Sequence, residues 1–345
     1  MKKALTLSKL LSKPQGTKKT DLARIKELAG PVPFKVVHIA GSNGKGSVAH
    51  HIAQNLNESK IDVGLFTSPH IRDLEERIQI NGIPISAEEL ELLSADLDEL
   101  TFFETLTVSA IRYFRKKKVK IAVIETGLGG RFDATNFLNP ILSIITSISL
   151  EHTNFLGDHL DKIAYEKAGI IKNQTPVIIG PTANRAPILE AAEKMGAPLY
   201  KTDFFDVFEE ENFQMALQAL EFLKVPPLIR KEPPGRFQEI KKRVIIDGAH
   251  NPAAFEALFH RVLKVYPNKR IKVGLALSNG RSLEESLAVI RKYSNDIKAI
   301  PSSHERLQNL PLPTLDAYEV LEGEVLVLTG SFYMMLELTD RVKAS

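Results

Sequence analysis

The 345-residue chain is too long for one ordinary hydrophobic core, so two domains are expected. Its 43% hydrophobic and 25% charged residues exclude a disordered or fibrous class. A net charge of +3, from 45 basic and 42 acidic residues, is too balanced to point to nucleic acid, though it suits an anionic substrate. With no cysteine there is no disulfide framework, thiol nucleophile or cysteine zinc site.

Residues 1 to 30, from Met1-Lys2-Lys3 onward, are basic and helix-prone, with a loop around Pro14-Gln15-Gly16. Lys9, Lys13 and Lys18 interrupt any apolar run there, so a signal peptide is not expected. No stretch approaches the ~20 apolar residues that span a bilayer. A cytoplasmic enzyme without a membrane partner is the expectation. Strand-like runs then alternate with helical patterns: Phe34–Ala40, Ile61–Phe66, Val119–Glu125, Ile141–Ile148 and Pro176–Ile179. Apolar strands without polar alternation, separated by helices, predict a parallel sheet covered on both faces. From Glu88 to Phe114 the pattern is helical, with Leu90, Leu93 and Leu97 expected in the core, and Arg115 to Lys118 reads as a solvated helix end. An acidic, aromatic stretch (203 to 212) leads into a helical one ending at Leu223. The prolines from Pro226-Pro227 to Pro233-Pro234 then suit an extended linker, which sets the domains at 1–232 and 233–345. The alternation restarts beyond it, with strands expected at Arg243–Asp247, Ile271–Leu277, Ile297–Ile300 and Val325–Thr329.

The stretch FKVVHIAGSNGKGS, Phe34 to Ser47, carries the first chemical signal. A strand enters a glycine loop, and helical spacing follows from Val48 to Leu56. Such a loop turns backbone N–H groups around phosphate oxygens, with Lys45 for the terminal phosphates and the Ser47 hydroxyl for Mg²⁺. The spacing departs from the usual pattern, because Gly41 lies close to Gly44 and Gly46 separates Lys45 from Ser47. A P-loop also needs an acid at a neighbouring strand end, and Glu125 supplies one. After it, TGLGGRFDATN brings Arg131, Asp133 and Asn136 to one glycine-rich rim. His152, after the strand ending at Ile148, fits a structural histidine or a metal ligand at a ligand-binding sheet edge. Lys167, before Gly169, read alone is a helix-end charge. In the second domain, Asp247-Gly248-Ala249-His250-Asn251-Pro252 is either another ligand edge or an ordinary turn.

HIAGSNGKGS, FTSPHIRDLEERIQING, ETGLGGRFDATN, SLEHTNFLGD, EKAGIIK, PGRF, DGAHNP and TGSFY occur here in that order. The set resembles the folylpolyglutamate synthase and dihydrofolate synthase family of the Mur ligase superfamily, densely over residues 34 to 180 and more sparsely from 212 to 335. The resemblance implies an α/β fold with an N-terminal P-loop ATPase domain of Mur ligase type. A smaller, Rossmann-like C-terminal domain would follow. It also implies a ligase that uses ATP to turn a carboxylate into an acyl phosphate, which the amine of L-glutamate attacks. The acceptor would be dihydropteroate, a reduced folate, or both, with ATP and two Mg²⁺ as cofactors and a monomeric protein.

Carried over motif by motif, Asn43, Gly44, Lys45, Gly46 and Ser47 would hold the phosphates. Ser47 and Glu125 would bind one Mg²⁺. Glu125, His152 and a carbamylated Lys167 would bind the other. Asn136 would contact the base, Arg236 would reach the phosphates from the second domain, and Asp247 and His250 would line the cleft. Thr67-Ser68-Pro69-His70 with Arg77 matches a loop over the active site. Phe102, Phe103, Arg131 and Asp133 match the region that receives the pterin end, and Ser331 would help hold glutamate. Three departures stand out. The segment from Pro181 to Pro233 is shorter than in the family, the segment before the P-loop is brief, and Ser278-Asn279-Gly280-Arg281 replaces an acidic turn. The alternatives are another Mur-type amino-acid ligase, a P-loop kinase or a nucleotide-binding protein that has lost ligation. Retention of Lys167, Glu125 and His152 together favours the enzyme.

Overall fold

A computed structural model describes residues 7–14, 20–302 and 304–344. Met1-Lys2-Lys3, Lys18 and the Gln15-Gly16 part of the expected loop lie outside the described residues. The chain forms two compact units, Met1–Glu232 and Pro233–Ser345.

In the first unit, β1 (Lys35–Ala40), β2 (Val63–Phe66), β3 (Ile78–Ile80), β4 (Ile83–Pro84), β5 (Ile121–Glu125), β6 (Leu142–Ile145), β7 (Val177–Ile179) and β8 (Leu199–Lys201) form one sheet. Their order is β4-β3-β2-β5-β1-β6-β7-β8, parallel from β2 to β8. Successive residues of a strand face opposite sides, and here both sides are apolar. Val36, Ala122 and Ile124 join a core with helix Phe102–Lys116, while Val37, Ile39, Val123 and Ile144 join another with helices Lys45–Glu58 and Phe208–Leu223. The strand after β1 is added on one side and β6 to β8 on the other, so the connections diverge at β1. In open α/β sheets ligands bind at the carboxyl ends of strands beside such a switch point.

Two details differ from the sequence-based expectation. The helical pattern over Glu88–Phe114 is two helices, Ala87–Ser94 and Phe102–Lys116. Thr101 and Glu104 form a capping box that starts the second, and Leu97 is buried in the turn between them. The hairpin of β3 and β4 was not anticipated, although Asn81-Gly82, both at positive φ (53° and 77°), is a strong two-residue hairpin signal.

The second unit holds β9 (Gln238–Lys241), β10 (Val244–Ile246), β11 (Arg270–Leu275), β12 (Asp296–Ala299) and β13 (Glu324–Thr329) in the order β12-β11-β13-β10-β9. All pairs are parallel except β10 with β9. Helices Pro252–Val265 and Leu283–Ile290 contribute Phe255, Phe259 and Leu287 to its core. Among the described residues no helix is long and apolar enough to cross a membrane.

Candidate active site

The phosphate loop leaves β1 and ends where Gly44, at φ 88°, caps helix Lys45–Glu58. Left-handed backbone favours glycine, and a Cβ here would also collide with the Asn212 side-chain oxygen. The loop is tied to the chain just after β6. Asn43 N–H donates to Ser147 Oγ (2.8 Å), and the Thr146 and Ser147 hydroxyls donate to Asn43 O (2.6 and 2.9 Å). Lys45 folds over the loop, its Nζ donating to Gly41 O at 2.9 Å and standing 3.9 Å from Glu125 Oε1. Glu125 closes β5, is 3% exposed and accepts from the Ser68 N–H at 2.9 Å. A Cβ on Gly46 would sit 3.6 Å from Glu125 Oε2, so the loop passes directly beside this carboxylate. Ser47 is buried on the first turn of the helix.

Lys167 lies 1% exposed near the end of helix Leu160–Ala168. Its Nζ donates to Glu151 Oε1 at 2.7 Å and to Gly41 O at 2.9 Å, so it touches the same loop carbonyl as Lys45. Burial opposes ionisation of Glu151, but the charges of Lys167, Lys45 and His152 outweigh it and hold the carboxyl down to about 2. Burial lowers the Lys167 ammonium from its usual range despite Glu151, which brings the free amine within easier reach. His152, in contrast, is exposed at φ 45° before the short helix Thr153–Leu156, though close enough to influence Glu151. Among the described residues no three His, Asp or Glu side chains converge as a metal-holding group. Ser47 and Glu125 stand at the phosphate loop. Of the expected trio, Glu125 and Lys167 lie at the phosphate loop, and His152 is exposed next to Glu151.

The loop after β5 engages Asp133 within its own turn. It is 5% exposed, with Oδ1 accepting from the Thr135 N–H and hydroxyl (3.0 and 2.5 Å) and Oδ2 from the Gly127 and Leu128 N–H groups (both 2.9 Å). That carboxylate is occupied in shaping its own loop. Asn136 likewise is 7% exposed, donates to Arg131 O and Gly169 O, and accepts from Lys172 Nζ at 2.8 Å, so its amide is committed within the protein. Phe102, 1% exposed, belongs to the core and carries the Arg77 guanidinium 5.1 Å from its ring centroid. One face of the ring is therefore already covered by Arg77. Phe103 is only partly buried and lies against Gly127, where a Cβ would come within 2.6 Å of its ring. Arg131 rests on the exposed Tyr165 ring at 4.0 Å. Arg77 donates to His70 Nδ1 at 2.9 Å, which joins it to the Thr67–His70 segment.

Two residues beyond the expected set, Glu151 and Asn212, also belong here, together with Ser68 of the expected loop. Glu151 is the partner of Lys167. Ser68 meets Glu125 through its N–H. Asn212, on helix Phe208–Leu223, is 2% exposed with an Oδ1 that lacks a partner and faces Gly44. Buried amide oxygens are as a rule hydrogen-bonded, so this one stands out beside the phosphate loop.

In the second unit, the expected residues gather at the carboxyl ends of β10 and β13. Asp247 accepts from Ala249 N–H (2.7 Å) and Phe237 N–H (2.8 Å). The Arg236 guanidinium lies 4.5 Å from the Phe332 ring centroid, and the His250 ring lies 6.3 Å from the same ring. His250 Nδ1 pairs with Gly248 O at 2.8 Å. Ser331 caps the Tyr333 N–H and pairs with Ser278 Oγ at 2.8 Å, which ties it to the Ser278–Arg281 turn.

Residues 39–214 match the Mur ligase middle domain. The chain is 32% identical to the dihydrofolate synthase/folylpolyglutamate synthase of Escherichia coli, over 79% of this chain and 74% of that protein. It is 28% identical to the enzyme of the same name from Bacillus subtilis, over 94% and 95% of the two chains. The latter alignment runs over 411 positions, more than this chain contains, so the relative carries segments that this chain lacks. The fold is similar to a bifunctional folylpolyglutamate synthase/dihydrofolate synthase solved with Mn, AMPPNP and L-glutamate bound, at a TM-score of 0.84 and 25% identity over 98% and 97% of the chains. The chain belongs to the dihydrofolate synthase/folylpolyglutamate synthase family of ATP-dependent Mur-type ligases.

Proposed function

We propose that the protein joins L-glutamate to dihydropteroate, to a reduced folate, or to both, through an acyl phosphate formed with ATP. One observation carries this reading: the Gly41 carbonyl of the phosphate loop accepts from both Lys45 and Lys167, and these are bonded or adjacent to Glu151 and Glu125. Loop, strand-end carboxylate and buried lysine are therefore one connected cluster. The chemistry asks for little more than charge control and positioning, because the phosphoryl group passes between ligands without a protein nucleophile. Lys45 and the loop N–H groups would hold the phosphates, each such contact being worth ~3 kcal/mol in the transition state. Asn212 replaces Asn136 as the proposed contact to the nucleotide.

The donors at the loop, the Glu125 carboxylate and the Ser47 hydroxyl, are hard oxygens, which suit Mg²⁺. Bound there, Mg²⁺ would neutralise charge on the transferring phosphoryl group. Carbamylation of Lys167 would turn a cation into an oxygen donor, and with Glu151 beside it the two anions would need a cation between them. His152 would complete that second set. Phe103 and Arg131 would meet the pterin end, on the loop that Asp133 shapes. Arg236, Asp247, His250 and Ser331 keep their proposed parts in phosphate and glutamate recognition. Residues 1–232 are proposed as the nucleotide and acceptor domain and 233–345 as the glutamate domain, in a monomer.

The test is phosphate release from purified protein with Mg-ATP and L-glutamate, comparing dihydropteroate, tetrahydrofolate and no acceptor. Release that requires one acceptor identifies it, and release with both makes the enzyme bifunctional. Acceptor-independent or absent release, in protein that binds ATP, would remove the folate reading. Carbamylation is checked by ¹³C NMR of protein in ¹³C-bicarbonate, where Lys167→Ala should abolish both the carbamate signal and turnover.

A further inference from the structure

His38 lies in the middle of β1, the central strand, is 0% exposed and takes no part in the cluster above. Its neighbours along the strand are Val37 and Ile39, so an apolar residue would suit the position as well or better. The Nε2 atom lies 2.8 Å from Thr135 Oγ1, and Nδ1 has no hydrogen-bond partner. Thr135 is itself 0% exposed, and its hydroxyl lies 2.5 Å from Asp133 Oδ1. The three side chains thus form a buried line from the central strand to the loop after β5.

The direction of the protons follows from the donor count. Burial pushes the Asp133 carboxyl up, but three backbone N–H groups, from Gly127, Leu128 and Thr135, and the Thr135 hydroxyl oppose it, an arrangement that suits a carboxylate. The Thr135 hydroxyl has one proton, which goes to that carboxylate, so its oxygen must accept from His38. His38 is then the neutral Nε2–H tautomer, with a bare Nδ1 lone pair. The reverse order would protonate Asp133 and leave a buried Nδ1–H without an acceptor. Burial and the nearby Lys172 charge, which push the imidazole down to about 3, keep it neutral. A histidine with an orphaned nitrogen in a hydrophobic strand is a poor choice for stability alone.

We propose that His38 is a positioning residue for the acceptor-binding loop. Its Nε2–H orients the Thr135 hydroxyl, Thr135 orients Asp133, and Asp133 clamps the Gly127–Leu128 turn against which Phe103 rests. This inference rests on the reading of that loop as the acceptor site. The alignment it enforces concerns the acceptor alone, because the nucleotide groups are held by the chain after β6 and by helix Phe208–Leu223.

The proposal is tested on the full chain by ¹⁵N-histidine NMR together with steady-state kinetics. The signal lost in His38→Gln should be that of a neutral Nε2–H tautomer, unchanged between pH 5 and 8. His38→Leu should raise the acceptor KM about 10- to 100-fold and leave the ATP KM unchanged, an effect of the size that small misplacements produce. His38→Gln, which can offer an N–H at the Nε2 position, should recover most of that loss. If His38→Leu fails to fold, Thr135→Val breaks the same chain at constant shape and should raise the acceptor KM likewise. An Nδ1–H tautomer, a charged ring at neutral pH, or an unchanged acceptor KM in the variant that folds overturns the proposal. If wild-type protein shows no acceptor-dependent release, the ligase reading fails, and the tautomer alone decides the hydrogen-bond chain.

Discussion

Lys167 and Glu151 form an ion pair 2.7 Å long, with side chains only 2% and 5% exposed. Two charges removed from water are stable only while they compensate each other. Glu151→Ala leaves a buried ammonium, at an expected cost of about 3–5 kcal/mol. For a unit of this size that is a fall in Tm of roughly 6–20 °C. The double variant Lys167→Met, Glu151→Leu fills the same space without charge and should regain most of that stability. Both proteins should lose phosphate release by at least about 100-fold, because the pair belongs to the cluster around the phosphate loop. Thermal unfolding and phosphate release measured side by side separate the two effects. A double variant less stable than Glu151→Ala would count against the pair as the source of the loss.

Asn212→Ala should behave in the opposite way. Its Oδ1 is already buried without a partner, so its removal takes away an unsatisfied group and should change stability by less than about 1 kcal/mol. If the amide contacts the nucleotide, affinity should fall by about tenfold, the value of one ordinary hydrogen bond to a ligand. Calorimetric titration with a non-hydrolysable ATP analogue gives the affinity directly. Unchanged affinity would return the contact to another residue of the loop.

The legibility of this site in the sequence followed the reach of each signal. Lys45 and Glu125 stand out because each sits in a local pattern of strand end, glycine and charge. Lys167, a helix-end charge when read alone, stands out only through the family resemblance. Glu151 and His152 are neighbours, and the histidine is the more conspicuous metal ligand, but the chain there turns the carboxylate inward and the imidazole to the surface. Asn212 joins Gly44 only because helix Phe208–Leu223 packs on helix Lys45–Glu58, a tertiary relation that no spacing in the sequence announces. Asp133 had a legible clue. An Asp before Ala-Thr is an N-cap, and its oxygen indeed accepts from the Thr135 N–H at the start of the Ala134–Phe137 turn.

Two buried histidines set a pH dependence. His38 is held down to about 3 and His51 to about 4, in the second case by burial, the Arg230 guanidinium and His50. His51 also lies 3.8 Å from Glu232 Oε2 and edge-on to Phe213. In the unfolded chain both rings take up protons near pH 6.5, while in the folded chain they stay neutral. The unfolded state therefore binds more protons below pH 6.5. Stability contributed by these groups is full above that value and falls as the pH drops, by up to about 1.4 kcal/mol per pH unit for each ring. The decline from His51 ends near pH 4 and that from His38 near pH 3. His51→Leu should remove roughly half of this slope between pH 6 and 4. Urea unfolding at a series of pH values measures it, and an unaltered slope in the variant would assign the acid sensitivity elsewhere.

Asn55 holds the linker in place with every hydrogen-bonding position of its amide. It is 0% exposed, its Oδ1 accepts from the Leu228 and Ile229 N–H groups (2.7 and 3.0 Å), and its Nδ2 donates to His51 O and Ile229 O (2.8 and 3.0 Å). The proline-rich segment cannot secure itself, because prolines lack the N–H needed for a ladder. A helix side chain supplies the pairing instead. Asn55→Leu keeps the approximate volume but leaves the linker N–H groups without their acceptor, an expected loss of about 1–3 kcal/mol. The effect should be local as well as global, since a strand-like segment released from its partner opens to protease before the domain unfolds. Cleavage within residues 224–232 should therefore accelerate while the core remains protected. Asn55→Asp keeps both acceptor positions but turns the donor nitrogen into an oxygen facing two carbonyls and buries a charge. It should be at least as damaging as Asn55→Leu. Limited proteolysis with mass analysis of the fragments locates the cut. First cleavage elsewhere in both variants would mean that the linker is held by its neighbours, Arg230 on Phe213 and Glu210 foremost, and not by Asn55.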